Sequence, residues 1–181
     1  MEADYIEQSV RTRLILAGIS ELEEHGIADF SLRRTALSAQ VSCAAPYRHF
    51  KDKDELISEI IKYVNSKWEL LVKEIYKVFS SKPRELAIEM CMTAIRFRIA
   101  NKNFRTVFML SSHTPSSKIL NKSIVDAVIS YSEYKGFSEK ERDIKIYTAE
   151  ALIAGSLVLS DGEDASTILS LAREKLMLEF E

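Results

Sequence analysis

Glycine and proline are scarce in this chain of 181 residues, at five and three, which excludes a fold of many tight turns and any long flexible linker. The two cysteines, Cys43 and Cys91, lack CxxC spacing, so neither a zinc site nor a disulfide framework is expected, and a reducing cytoplasm is the expected setting. Three scattered histidines, His25, His49 and His113, have no second ligand at metal-site spacing, so no metal and no cofactor is expected. Without a GxSxG, P-loop or GxGxxG motif, the chain is not expected to be an enzyme. No apolar run reaches the roughly 18 residues that would span a bilayer. The polar start MEADYIEQ is unlike a secretory signal, so the expectation is a soluble protein with no membrane partner. A basic excess is missing too: 25 Lys and Arg against 27 Asp and Glu give a net charge of −2, which argues against indiscriminate coating of nucleic acid.

What remains is a chain with 46% hydrophobic residues, enough to bury a core, and rich in helix formers. Its apolar residues recur at helical spacing, which predicts an all-α fold of about nine helices. The first helix is expected from Asp4 to His25, stopped by Gly26. Asp52 with Glu55, and Ser138 with Glu141, read as capping boxes. The first opens a helix of about 27 residues to Phe79 along the stripe Leu56, Ile60, Val64, Trp68, Leu71 and Ile75. Pro83 starts a helix to about Ala100, shorter helices follow over 104–111 and 117–134, and a helix from Ser138 to about Ser160 is expected to be buried on several sides. The last helix carries the stripe Ala165, Ile168, Leu169, Ala172, Leu176 and Phe180.

The informative stretch is Ser31 to Leu56, SLRRTALSAQVSCAAPYRHFKDKDEL. Ser31 can cap a helix to about Ala39, and Ser42 a second helix over Cys43 to His49. Gln40, Val41 and Ser42 are left for a corner of helix-turn-helix length, with Val41 as its buried plug. The second helix is expected to present Cys43, Ala44, Ala45, Tyr47 and Arg48 outward, with His49 and Lys53 beyond. Alanine methyls can meet thymine methyls in the major groove, Tyr47, His49 and Lys53 can donate to phosphates, and Arg48 suits either. Arg33 adds a backbone contact. Locally, Arg33, Arg34, Arg48, Lys51 and Lys53 against Asp52 give +5 − 1 = +4, a positive edge on an acidic body.

This stretch resembles the DNA-binding signature of the TetR family of transcriptional regulators. The resemblance is carried by Val41, Ser42, Tyr47, His49, Phe50, Lys53 and Leu56, and upstream by Leu14, Ile15, Ala17, Leu22 and Gly26. Gln40 departs from it, since the family usually has glycine at the corner; a left-handed backbone there costs about 1 to 2 kcal/mol, and strain that the fold tolerates is the expectation. The resemblance implies a helix-turn-helix domain over 1–52 and a larger helical domain over 53–181 for effector binding and dimerisation. It also implies that the last two helices pair with their copies in a homodimer, with Ala151, Ala154, Gly155, Val158, Ile168, Ala172 and Leu176 as candidate interface residues. Trp68, Met90, Met92, Phe97, Phe104, Phe108 and Tyr147 are candidates for an effector pocket. Glu150 reads either as a carboxylate paired at the dimer rim or with a lysine, or as a charge facing that pocket. The expected partners are double-stranded operator DNA, a second copy of the chain and an unnamed small-molecule effector, and the expected function is a ligand-released repressor. The alternative is a DNA-bound adaptor that contacts a protein partner and has no small-molecule effector.

Overall fold

The computed structural model describes residues 9–110, 118–162 and 164–181, the side chains of 108–110 and 118–120 excepted. The described residues form nine α-helices: α1 (Val10–His25), α2 (Leu32–Ser38), α3 (Pro46–His49), α4 (Lys53–Phe79), α5 (Pro83–Ala100), α6 (Arg105–Leu110), α7 (Lys118–Lys135), α8 (Glu139–Leu159) and α9 (Ala165–Glu179), with a 3-10 turn at Lys102–Phe104. No strand occurs among them. They fall into two compact units, one drawn from Met1–Val64 and Asn103–Ser116, the other from Asn65–Lys102 and Ser117–Glu181.

In the first unit α1 begins at Val10, with Ser9 as its cap, whose hydroxyl accepts from the Thr12 amide at 3.2 Å; the start expected at Asp4 lies outside the described residues. Gly26, at φ 68°, closes the helix with its N–H on Leu22 O at 2.9 Å. Leu14, Ile15, Ile19 and Leu22 point inward and are buried. Gly18 lets α4 approach, since a Cβ there would lie 2.7 Å from Ile60 Cδ1. Glu23 accepts from both the amide and the hydroxyl of Thr106, at 3.2 and 3.1 Å, which fastens the start of α6 to α1.

In the second unit α5 is the centre, packing against α7, α8 and α9. Leu86, Ala87, Ile88, Met90, Cys91, Met92, Ala94, Ile95 and Phe97 are all buried on it. Trp68 is fully buried, donates from Nε1 to Ser123 Oγ at 2.9 Å, and has its ring 5.7 Å from that of Phe97. The capping box that opens α8 is complete, Ser138 and Glu141 each reaching the other's backbone. Its counterpart at α4 is half formed: Asp52 accepts from the Glu55 amide at 2.9 Å, but the Glu55 carboxylate turns to the Lys51 amide at 2.6 Å.

The final turn of α9 leaves carbonyls without helical partners, and other elements supply donors. Arg84 donates to Phe180 O at 2.5 Å and Met177 O at 3.0 Å, Lys145 to Glu179 O at 2.6 Å, and Tyr131 to Glu181 O at 2.6 Å. Phe180 is buried edge-on against Tyr131, with ring centroids 5.2 Å apart.

Candidate nucleic-acid interface

Ser31 caps α2 as the sequence predicts, its hydroxyl accepting from the Arg34 amide at 3.4 Å. The corner after α2 is a Schellman motif: the Gln40 amide donates to Leu37 O and the Val41 amide to Ala36 O, each at 3.0 Å. That motif needs a left-handed residue, and Gln40 supplies it at φ 54°. Two backbone bonds therefore offset the strain expected of a non-glycine residue. Val41 is half-buried and only partly a plug.

The second helix of the motif is shorter than the sequence suggests. The Ala45 amide donates to Ser42 O at 2.8 Å, so 42–45 form a tight turn, and Pro46 opens α3 where a missing N–H costs nothing. Ser42 is therefore corrected as a cap: the N-cap of α3 is Ala45, which makes no side-chain capping bond. This turn also corrects one candidate contact: Ala45 is buried, because it and Pro46 face the core of the unit. Phe50, 2% exposed, anchors the other end, and the Arg11 guanidinium lies 5.2 Å from its ring centroid.

Between these anchors Ser42, Cys43, Ala44, Tyr47, Arg48 and His49 are all exposed, Tyr47 at 66%. Arg33 is exposed on α2. Lys53 is half-buried, and its ammonium donates to Ile27 O at 2.7 Å, which fixes it at the start of α4. Arg34 drops out of the positive edge. It bonds the buried Glu21 from Nε at 2.8 Å and reaches Asp29, while Glu21 also accepts from the Ser31 amide at 2.9 Å. The Glu21 hydrogen bond holds the Arg34 guanidinium above its ordinary pKa, helped by the charges of Glu21 and Asp29. The edge that can meet DNA is therefore Arg33, Arg48, Lys51 and Lys53 with Asp52, or +4 − 1 = +3. No local spacing links positions 21 and 34, which is why this pair is not legible in the sequence.

The remaining candidates divide. Trp68, Met90, Met92 and Phe97 are buried in the second unit, whereas Phe104 is buried in the first; the side chain of Phe108, like His113, lies outside the described residues. Tyr147 is 73% exposed and does not belong to an interior pocket. Glu150 is half-buried on α8; burial pushes the Arg98 guanidinium down from its ordinary pKa and the charge of Glu150 opposes that, so the carboxylate has an arginine as electrostatic partner. On α8, Ala151, Ala154 and Val158 are exposed, and a Cβ on Gly155 would meet no atom within 4 Å. Ile168, Ala172 and Leu176 are corrected: they are buried within their own chain, and α9 exposes Leu171 and Leu178 instead. Among the described residues no His, Cys, Asp and Glu group could hold a metal, and no helix is long and apolar enough to cross a membrane.

The family model of bacterial regulatory proteins of the tetR family matches residues 14–60, which is α1, the corner, the exposed turn and the start of α4. Over these residues the chain matches the DNA-binding part of that family. The described residues are thus all-α, with an N-terminal helix-turn-helix domain of the TetR type. No curated protein matches its sequence. Solved structures share the fold over nearly the whole length. A protein of unknown function from Rhodococcus sp. RHA1 is 20% identical over 98% of each chain, with a TM-score of 0.71. The TetR family transcriptional regulator PfmR from Thermus thermophilus is 16% identical over 96% of this chain and 97% of its own, at 0.72. The regulator FadR from Bacillus subtilis, in complex with stearoyl-CoA, is 13% identical over 92% and 97%, at 0.68.

Proposed function

We propose that this chain is a transcriptional regulator of the TetR family, a homodimeric repressor that binds a near-palindromic operator and is released by a small-molecule effector. The observation that carries the reading is the exposure of Ser42, Cys43, Ala44, Tyr47, Arg48 and His49 around the buried Ala45, Pro46 and Phe50. In this reading Ser42, Cys43 and Ala44 meet base edges. Tyr47, His49, Arg33 and Lys53 bind phosphates, and Arg48 serves either. In this reading residues 1–52 form the reading domain and 53–181 the regulatory one.

Support for the homodimer comes from the uncovered apolar strip of α8 and α9, where Val158, Leu171 and Leu178 are 71, 60 and 60% exposed. Exposed apolar area of this kind, next to small residues that let helices approach closely, is what a self-complementary helical interface uses. The effector is inferred more distantly, by analogy with FadR, which is alike in fold and was solved in complex with stearoyl-CoA. An effector that binds the DNA-incompetent state more tightly weakens operator affinity by the usual coupling of about 1 to 3 kcal/mol.

Selection of random double-stranded DNA by the purified full-length protein tests the reading. Enriched fragments should share two inverted half-sites. Enrichment of nothing, or of unrelated sequences in proportion to length, would contradict it.

A further inference from the structure

One groove has no place in the reading so far. It measures about 400 Å³ and is lined by Arg13, Leu16, Ala17 and Ser20 of α1 and by Ser38, Ala39 and Gln40 of the corner. Positions 13, 16, 17 and 20 share one face of α1. Ala17 and Ala39 give it a buried apolar floor, while Ser20, Ser38 and Gln40 are exposed at its rim with two hydroxyls and an amide. Arg13 Nε is buried and has no hydrogen-bond partner among the described residues.

A buried donor without an acceptor is unfavourable. Three carboxylates of α1 and α4 are engaged elsewhere: Glu21 by Arg34, Glu59 by Arg11 and Lys62, and Glu23 by Thr106. Among the described residues that line it, the groove offers a cation and several donors and no anion. Its edge also adjoins the reading segment, since Gln40 stands two residues before Ser42 and two residues span at most about 7 Å.

We propose that this groove takes a backbone phosphate of the operator, with Arg13 supplying the charge and Ser38 and Gln40 supplying hydrogen bonds. A phosphodiester is acceptor-only and singly charged, and Arg, Ser and Gln are donors that position proteins on a duplex without reading its sequence. The left-handed backbone of Gln40 then does two things: it turns the corner and it points an amide-bearing side chain at the rim. The inference rests on the DNA-binding reading above.

The test measures operator affinity against salt for the full-length wild type, Arg13→Gln and Ser38→Asp, with thermal melting of each. Both variants should bind every sequence more weakly with the preferred sequence unchanged, and Arg13→Gln should reduce the salt slope by about one. Ser38→Asp, at an exposed position, should keep the wild-type melting temperature, so its loss of affinity cannot be a loss of fold. Wild-type slope in Arg13→Gln with full affinity in Ser38→Asp would overturn the phosphate site and leave the DNA-binding reading intact. Failure of the wild type to bind any DNA would overturn both. Inorganic phosphate at matched ionic strength separates the two sources of the anion: if it raises the melting temperature of wild type but not of Arg13→Gln while the salt slopes agree, the groove holds free phosphate and the operator assignment is overturned.

Discussion

Two surfaces of this molecule are exposed in opposite chemical terms. The turn and helix from Ser42 to His49 present small, hydroxylic and cationic side chains. The strip of α8 and α9 from Ala151 to Leu178 presents Val158, Leu171, Leu178 and the bare backbone of Gly155. Polar donors lose little by standing in water and gain most when an anion arrives. Apolar side chains left in water are unfavourable until a partner covers them, at roughly 25 cal/mol per Å². The first surface is therefore suited to intermittent contact with DNA, and the second to a standing contact with another copy.

The contrast breaks first at the second surface. Gly155→Glu meets open space within one chain but would bury an unpaired charge in the proposed interface, at a cost of about 3 to 5 kcal/mol. Sedimentation should find a monomer with a near-native melting profile; an intact dimer would remove α8 from the interface. Within that monomeric background, the two sides of α8 can be compared. Ile153, 1% exposed, should lose about 2 to 5 kcal/mol of unfolding free energy on truncation to Ala, while Val158→Ala should change it by no more than about 0.5 kcal/mol. Equal losses in denaturant unfolding would mean that the outward side is not free.

The reading surface should respond in kind and not only in size. Lys53→Ala should weaken binding to all sequences and lower the salt slope by about one, whereas Ala44→Gln should shift the preferred sequence. The same change in both variants would dissolve the division between phosphate and base contacts. The smallest perturbation is a chemical one. Burial pushes the Cys91 thiol up to about 12, while Cys43 is exposed, so a thiol reagent at neutral pH should label Cys43 alone, and operator DNA should protect it. Labelling of both thiols, or no protection by DNA, would place Cys43 off the reading face.

These surfaces are unequally legible in the sequence. Caps and motif residues locate α2, the corner and α4 because each acts through neighbours a few positions away, and the left-handed Gln40 follows from the same local logic. The start of α3 does not, since Ser42 looks like a cap in the sequence, whereas 42–45 form a turn and Pro46 opens the helix. In the second unit periodicity names the helices but not what covers them. α9 has apolar residues on two sides, and 3.6-residue spacing cannot say that Ile168, Ala172 and Leu176 face the chain itself while Leu171 and Leu178 face outward. For the same reason the sequence predicts an enclosed α8, although α5 is the helix that its neighbours surround. Glu21 with Arg34, and Arg84 with the end of α9, depend on contacts across long stretches of chain and leave no local trace.

In the proposed dimer the apolar surface joins two copies so that two reading segments meet one operator. A hydroxyl-radical footprint of the full-length protein on a selected operator measures this directly. The account predicts two symmetric protected half-sites with centres about one helical turn apart, roughly 34 to 36 Å, and their joint loss in Gly155→Glu at protein concentrations that saturate the wild type. A single asymmetric half-site, or an unchanged double footprint in the monomeric variant, would contradict it.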